Sequence, residues 1–189
     1  LGLPPAPARI LAALLRDLPV AAADRSPEPR VPGAVVRRYR GRLHVEATGI
    51  DEPNEGSWPT ASGERYAWTA GSTIALSPDV GAGISRERLP ARIDVRRRTG
   101  GETFLPAGST HHRPLRKWLQ EHDVLPWRRE NLPLLFAGDR LIAVADLGVA
   151  AEFAARAGEP SWRIAWNRRG VLTEADVLSS KWPAHPPIR

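Results

Sequence analysis

The side chains best placed to do chemistry in this chain are its arginines. Arg37, Arg38, Arg40 and Arg42 fall within six residues that contain no acid. Arg92, Arg96, Arg97 and Arg98 flank a single Asp94, and Arg113, Arg116, Lys117 and the pair Arg128-Arg129 follow soon after. A planar guanidinium bonds two oxygens of one phosphate at once, so such clusters suit the backbone of a polyanion. Taken singly, each arginine is better explained as solvated surface. Three clusters on elements that bury their other faces favour a shared phosphate-tracking surface. Other chemistry finds little support. His111 and His112 are adjacent, which puts them on opposite sides of a strand or badly spaced on a helix, and no carboxylate or third histidine stands at metal-ligand spacing. The sole Gly-Gly pair, Gly100-Gly101, is followed by Glu102 instead of the Lys or Ser/Thr of a phosphate-binding loop. With no cysteine, disulfides, thiolate metal sites and cysteine nucleophiles are excluded. Neither a catalytic nor a metal constellation is recognisable, so a free-standing hydrolase is disfavoured and binding is the better reading.

The whole-chain balance agrees. The 189 residues are 42% hydrophobic and 25% charged, enough for one domain or two small ones. Lys+Arg number 27 against 21 Asp+Glu, a net +6, and all the basic residues except Lys117 and Lys181 are arginine. The isoelectric point near 10.8 suggests a polyanionic partner without naming one. No run approaches the length of a membrane span, and no signal peptide is evident. The chain opens Leu1-Gly2-Leu3-Pro4-Pro5 and contains no Met, which leads us to expect a piece of a longer protein.

Periodicity supplies the elements that must position these residues. Ile10, Leu11, Leu14, Leu15 and Leu18 have helical spacing before Pro19 and predict a short amphipathic helix over 8–18. Residues 35–45 predict a hairpin turning near Arg40-Gly41. Residues 51–71, with three glycines and two prolines, predict a linker in which Trp58 and Trp68 act as packing anchors. Strands are expected over 72–76 and 91–98, the latter with Ile93 and Val95 on one face and Arg92, Asp94, Arg96 and Arg98 on the other. Residues 113–122 switch to a helical period, with Leu115, Trp118, Leu119 and His122 on one face and Arg113, Arg116, Lys117 and Gln120 opposite. A second hairpin is expected over 132–145 around Ala137-Gly138-Asp139-Arg140, then a strand over 161–167 and a short helix opened by Thr173. The fold class is α+β: a short helical N-terminal piece with a hairpin, then a β-rich domain carrying one main amphipathic helix.

The order of motifs from Arg96 to Phe136 resembles one family. Arg96-Arg97-Arg98-Thr99-Gly100-Gly101-Glu102, Leu115-Arg116-Lys117-Trp118-Leu119-Gln120-Glu121, Pro126-Trp127-Arg128-Arg129 and Leu132-Pro133-Leu134-Leu135-Phe136 are similar to the C-terminal domain of bacterial tRNA(Ile)-lysidine synthetases. Val36 to Leu43 resembles the end of that family's substrate-recognition domain, and Trp162 to Trp166 its last strand. The resemblance implies an ATP-dependent ligase that adenylates the wobble cytidine of an isoleucine tRNA. Lysine then displaces AMP to give lysidine, changing specificity from methionine and AUG to isoleucine and AUA. The family's Ser-Gly-Gly-x-Asp-Ser ATP loop is not in this sequence.

The resemblance therefore implies the following organisation. Residues 1–50 end the substrate-recognition domain, 51–71 are a linker, 72–167 form a C-terminal β-rich tRNA-binding domain, and 168–189 are an extension. The expected tRNA contacts are Arg37, Arg38, Arg40, Arg96, Arg97, Arg98, Arg113, Arg116, Lys117, Arg128 and Arg129, with no catalytic or metal residue. No cofactor is expected here, while ATP and Mg belong to the family's N-terminal domain. The expected partner is the isoleucine tRNA with a CAU anticodon, in the cytoplasm, with no membrane and a homodimer through the parent. A module for protein–protein or self-association, packing on a catalytic domain, is the alternative.

Overall fold

A computed structural model describes residues 30–31, 33–40, 42–47, 52–60 and 65–168. These fall into two compact units that divide between Ile50 and Asp51. The predicted 8–18 helix and everything after Arg168 lie outside the described residues.

In the smaller unit, β1 (Arg30–Val31), β2 (Ala34–Tyr39) and β3 (Arg42–Ala47) form an antiparallel sheet in that order. Tyr39 pairs with Arg42, so the chain turns where the sequence predicts. Arg40 holds φ 49° there, a left-handed conformation that a non-glycine residue adopts mainly in tight turns. Ala34 and Val36 are buried at alternate positions, as a half-buried strand requires.

The larger unit is built from β4 (Gly56–Pro59), β5 (Tyr66–Thr69), β6 (Ser72–Val80), β7 (Ile84–Ser85), β8 (Arg92–Arg96), β9 (Thr103–Phe104), β10 (Arg113–Pro114), α1 (Leu115–Glu121), β11 (Leu134–Ala137), β12 (Arg140–Val144), β13 (Gly148–Val149) and β14 (Pro160–Arg168). Two antiparallel sheets run β13-β12-β11-β8-β4 and β5-β6-β14-β7, and β9 pairs with β10. The longest ladder joins β6 to β14, from Ser72 opposite Arg168 to Val80 opposite Pro160. Pro78 sits in β6 beyond the stretch that β5 covers, so its missing N–H leaves no gap on that side. One apolar cluster takes in Trp58, Trp68, Ile74, Ile93, Val95, Leu119, Leu135 and Ile142, residues of both sheets and of α1.

The 51–71 linker expected from the sequence is overturned. Trp58 pairs opposite Ile93, adding β4 to the first sheet, and β5 pairs with β6 in the second. Gly56 and Pro59 are the first and last residues of β4 and Gly71 lies in the turn before β6, while the buried Trp58 and Trp68 tie the segment into the core. The Trp68 indole N–H donates to the Asn131 carbonyl at 2.9 Å. The predicted helix is also shorter than expected. Arg113 and Pro114 pair with Phe104 and Thr103 as a strand bridge, and α1 starts only at Leu115. Arg113 therefore does not lie on the helix face assigned to it.

The end of β14 is held by a carboxylate clasp. Glu159 accepts hydrogen bonds from the Ser85 hydroxyl, from the Arg156 N–H at 2.8 Å and from Arg88 Nη2 at 2.9 Å. The Ser85 bond, the Arg156 N–H and the Arg88 guanidinium together pull the Glu159 carboxyl down to about 2.

Candidate nucleic-acid interface

Three segments of the larger unit carry its expected contact residues, and short hydrogen bonds connect them. The 97–102 loop leads into β9, and the Leu115 N–H at the start of α1 donates to the Glu102 carbonyl at 2.8 Å. At the other end of α1, the Val124 N–H donates to the Leu119 carbonyl, and Arg129 Nε donates to the Val124 carbonyl at 2.7 Å. The second bond ties the 3-10 turn Pro126–Arg128 and the arginine after it to the helix end.

Within its observed length α1 has two faces as its sequence predicts, but His122, expected on the apolar face, lies past the helix end and is exposed. Leu115, Trp118 and Leu119 are buried, whereas Arg116, Lys117 and Gln120 are exposed. Trp118 fixes the roll of the helix. Its ring meets Phe104 edge-on at 5.1 Å and stacks on His122 at 3.9 Å. The backbone of Gly148 approaches so closely that a Cβ there would lie 2.9 Å from the Trp118 ring. Among the described residues, neither Arg116 nor Lys117 has an ion pair or hydrogen bond.

The arginines at the end of β8 are differently placed. Arg96 pairs with Asp94 at 2.6 Å and lies over the Phe136 ring at 4.9 Å. Arg97 pairs with Glu55 at 2.9 Å and Arg98 with Glu102 at 3.4 Å. Arg113 is joined to Glu121 at 2.7 Å. Glu102 organises the loop between them. Its carboxylate accepts the N–H of Thr99 at 2.6 Å and of Gly100 at 2.8 Å. Burial alone would push the Glu102 carboxyl up, but these N–H groups, its own, and Arg98 hold it below the ordinary carboxylate range.

Gly100 and Gly101 take φ of 95° and 84°, which reads them as a turn that other residues enter only with strain. The N–H groups that a phosphate cradle would offer are already used by the chain's own Glu102. No nucleotide phosphate loop is formed here. Sequence reasoning identified the arginines but missed Glu55 as a partner, because it lies on the segment taken for a linker.

The expected residues are only partly brought together. Arg96, Arg97, Arg98, Arg113, Arg116, Lys117, Arg128 and Arg129 share the larger unit, whereas Arg37, Arg38 and Arg40 belong to the smaller one. There, Arg37 pairs with the buried Glu46 at 2.8 Å, and the Arg40 guanidinium lies over the Tyr39 ring. Among the described residues, no group of three or more His, Asp or Glu could hold a metal, and no helix is long and apolar enough to cross a membrane.

An antiparallel β unit whose short helix turns a basic face outward has the build of a binding domain. Two family models match the chain: the TilS substrate C-terminal domain over residues 93–166 and the TilS substrate binding domain over residues 1–44. The chain belongs to the tRNA(Ile)-lysidine synthase family, as a C-terminal region of it. The Ralstonia nicotianae tRNA(Ile)-lysidine synthase is 34% identical over 177 residues, which cover 87% of this chain and 37% of that protein. Its Alkalilimnicola ehrlichii counterpart is 36% identical over 166 residues, 83% of this chain and 36% of that protein. The Nitrosomonas europaea protein is 41% identical over a shorter stretch, 45% of this chain and 19% of its own length. The chain thus spans a little over a third of the first two relatives.

Proposed function

We propose that this chain is the tRNA-gripping, non-catalytic C-terminal part of a tRNA(Ile)-lysidine synthase. The whole enzyme would be an ATP-dependent ligase that converts the wobble cytidine of the isoleucine tRNA to lysidine in the cytoplasm. The observation that carries this reading is the outer face of α1, where Arg116 and Lys117 stand exposed and unpaired among the described residues. The end of β8 and the loop after it, with Arg96, Arg97 and Arg98, the β10 residue Arg113, and the 126–129 turn, with Arg128 and Arg129, extend the basic surface beside that helix. Arg37, Arg38 and Arg40 of the hairpin unit supply further phosphate contacts.

A wobble base lies far from the acceptor end of a tRNA, so contacts at the modified base recognise only a small part of the molecule. A separate basic surface that reads phosphates and 2′-hydroxyls along a stem adds recognition at a distance. ATP and Mg are handled elsewhere in the enzyme under this reading. Here the glycine turn is filled by Glu102, and no step of the ATP chemistry is assigned to this chain.

The test is equilibrium binding of the 189-residue chain to tRNA across a salt series. A log–log slope of several units, and loss of roughly three orders of magnitude in affinity between about 50 and about 200 mM salt, is expected if six or more phosphates are neutralised. Concentration-dependent self-association without salt-sensitive tRNA binding would overturn the reading in favour of an association module.

A further inference from the structure

Beside α1 lies a cavity of about 430 Å³, lined by Gly108, Ser109, Thr110, His111, His112, Arg113, Pro114 and Lys117. We propose that it is a phosphate-binding pocket that takes one backbone phosphate of RNA. The proposal rests on the tRNA-binding reading and adds to it a defined subsite and four side chains, Ser109, Thr110, His111 and His112.

The pocket is built on a fixed base. The 105–112 loop leaves β9 and returns at β10, where Phe104 pairs with Arg113 and Thr103 with Pro114. Its inner limb is bolted to the first sheet by a bridge from Pro106 to Ala150. The Ala107 N–H donates to Val149 at 2.9 Å, and the Ala151 N–H donates to Leu105 at 2.8 Å. Gly108, at φ 80°, reverses the chain, and the Ser109 N–H closes the turn on the Pro106 carbonyl. The outer limb then runs back with Thr110, His111 and His112 exposed, facing Lys117 across the cavity.

The lining selects for an anion. It holds two cationic side chains, two imidazoles and two hydroxyls, all able to donate hydrogen bonds, and no carboxylate. A hard cation such as Mg or Ca would need the acids that are missing, and two imidazoles fall short of the three protein ligands of a zinc site. Arg113 is steadied by Glu121 at 2.7 Å, while Lys117 has no partner among the described residues. Adjacent histidines fall on opposite sides of a strand and are badly spaced on a helix, but this segment is an irregular loop, and both line the one cavity. The site is open to solvent along one side, which suits one unit of a continuous polymer. It leaves room for the ribose that accompanies a backbone phosphate and for the hydroxyls of Ser109 and Thr110 to meet its 2′-OH.

The test is NMR of the histidine rings in the full chain, titrated separately with inorganic phosphate and with tRNA. We expect tRNA to shift the His111 and His112 ring signals. The His122 ring, stacked on Trp118 with Nδ1 at 2.8 Å from the Trp118 carbonyl, should stay in place. Lys117→Gln should weaken tRNA binding about threefold and lower the salt slope by about one. Arg163→Gln, on an arginine paired with Asp79 at 2.7 Å, should change neither. Shifts with tRNA alone, or with both titrants, support a pocket for the polymer's phosphate. Shifts with phosphate alone make it a free-anion site and overturn the proposal. Binding of tRNA with still rings overturns the pocket while leaving the proposed function standing. Absence of both binding and shifts overturns both.

Discussion

The end of β8 and the outer face of α1 have the same character in sequence, a run of cations, yet the fold treats them differently. Arg96, Arg97 and Arg98 each have a carboxylate at 2.6, 2.9 and 3.4 Å, whereas Arg116 and Lys117 have none among the described residues. A paired arginine is held in one direction but has spent part of its charge. An unpaired one keeps its full field but must be ordered by whatever it binds. Counting arginines therefore overstates the charge open to a polyanion, and of these two regions it is the helix that keeps its charge unspent. The pairs still have a use. A guanidinium has five N–H donors, and a single carboxylate leaves most of them free to meet a phosphate in a preset direction.

This contrast can be broken most strongly at α1. Reversing both Arg116 and Lys117 to Glu should lower tRNA affinity about a hundredfold at moderate salt, because two phosphate contacts become repulsions. Circular dichroism should stay unchanged, since both side chains are exposed. An equal loss from reversing Arg96 and Arg97 would erase the distinction. An intermediate effect is expected from Glu102→Gln, about fivefold to tenfold, measured by the same binding titration. The amide no longer balances Arg98, and its neutral oxygen accepts the Thr99 and Gly100 N–H groups more weakly, so the loop loses part of its set direction even as net charge becomes more positive. Tighter binding instead would show that charge, and not orientation, governs this loop. The smallest effect belongs to Arg97→Gln. The Arg97 and Glu55 side chains are 52% and 41% exposed, and such a surface pair contributes at most about 1 kcal/mol. Melting temperature should hardly move and affinity should fall about twofold to threefold.

Acid sharpens the comparison from the other direction. Glu102 and Glu159 both titrate below the ordinary 4.5 of a glutamate when folded. Their stabilisation is complete above that value and fades as pH falls through it toward the folded value, about 2 for Glu159. Glu159→Gln should flatten the acid limb of the stability profile without touching the salt slope of tRNA binding. Glu102→Gln should alter both.

Much of this was readable beforehand, for identifiable reasons. The alternation of Ile93 and Val95 with charges, the 115–119 helical stripe and the glycine turn at Gly138 are local signals, and each produced the element expected. The segment 51–71 was misread because its strands are short and their stability comes from distant partners, Ile93 for Trp58 and Asn131 for Trp68. Local composition carries no record of such contacts. The same holds for the site. Arginine clusters are visible in a string of letters, but which of them meet an acid depends on Glu55, 42 residues from Arg97. The pocket beside α1 was hidden for a related reason. Two adjacent histidines look useless until the chain bends around them.

The ladder between β6 and β14 has a consequence in time. Its first residue, Ser72, pairs with its last, Arg168, so nearly the whole larger unit must be synthesised before the second sheet can close. Pairing across such separations is slow, because the chain loses loop entropy before any contact rewards it. On the ribosome, the helix and the first sheet would be in hand while β6 still waits, its apolar face uncovered, for the strand made last.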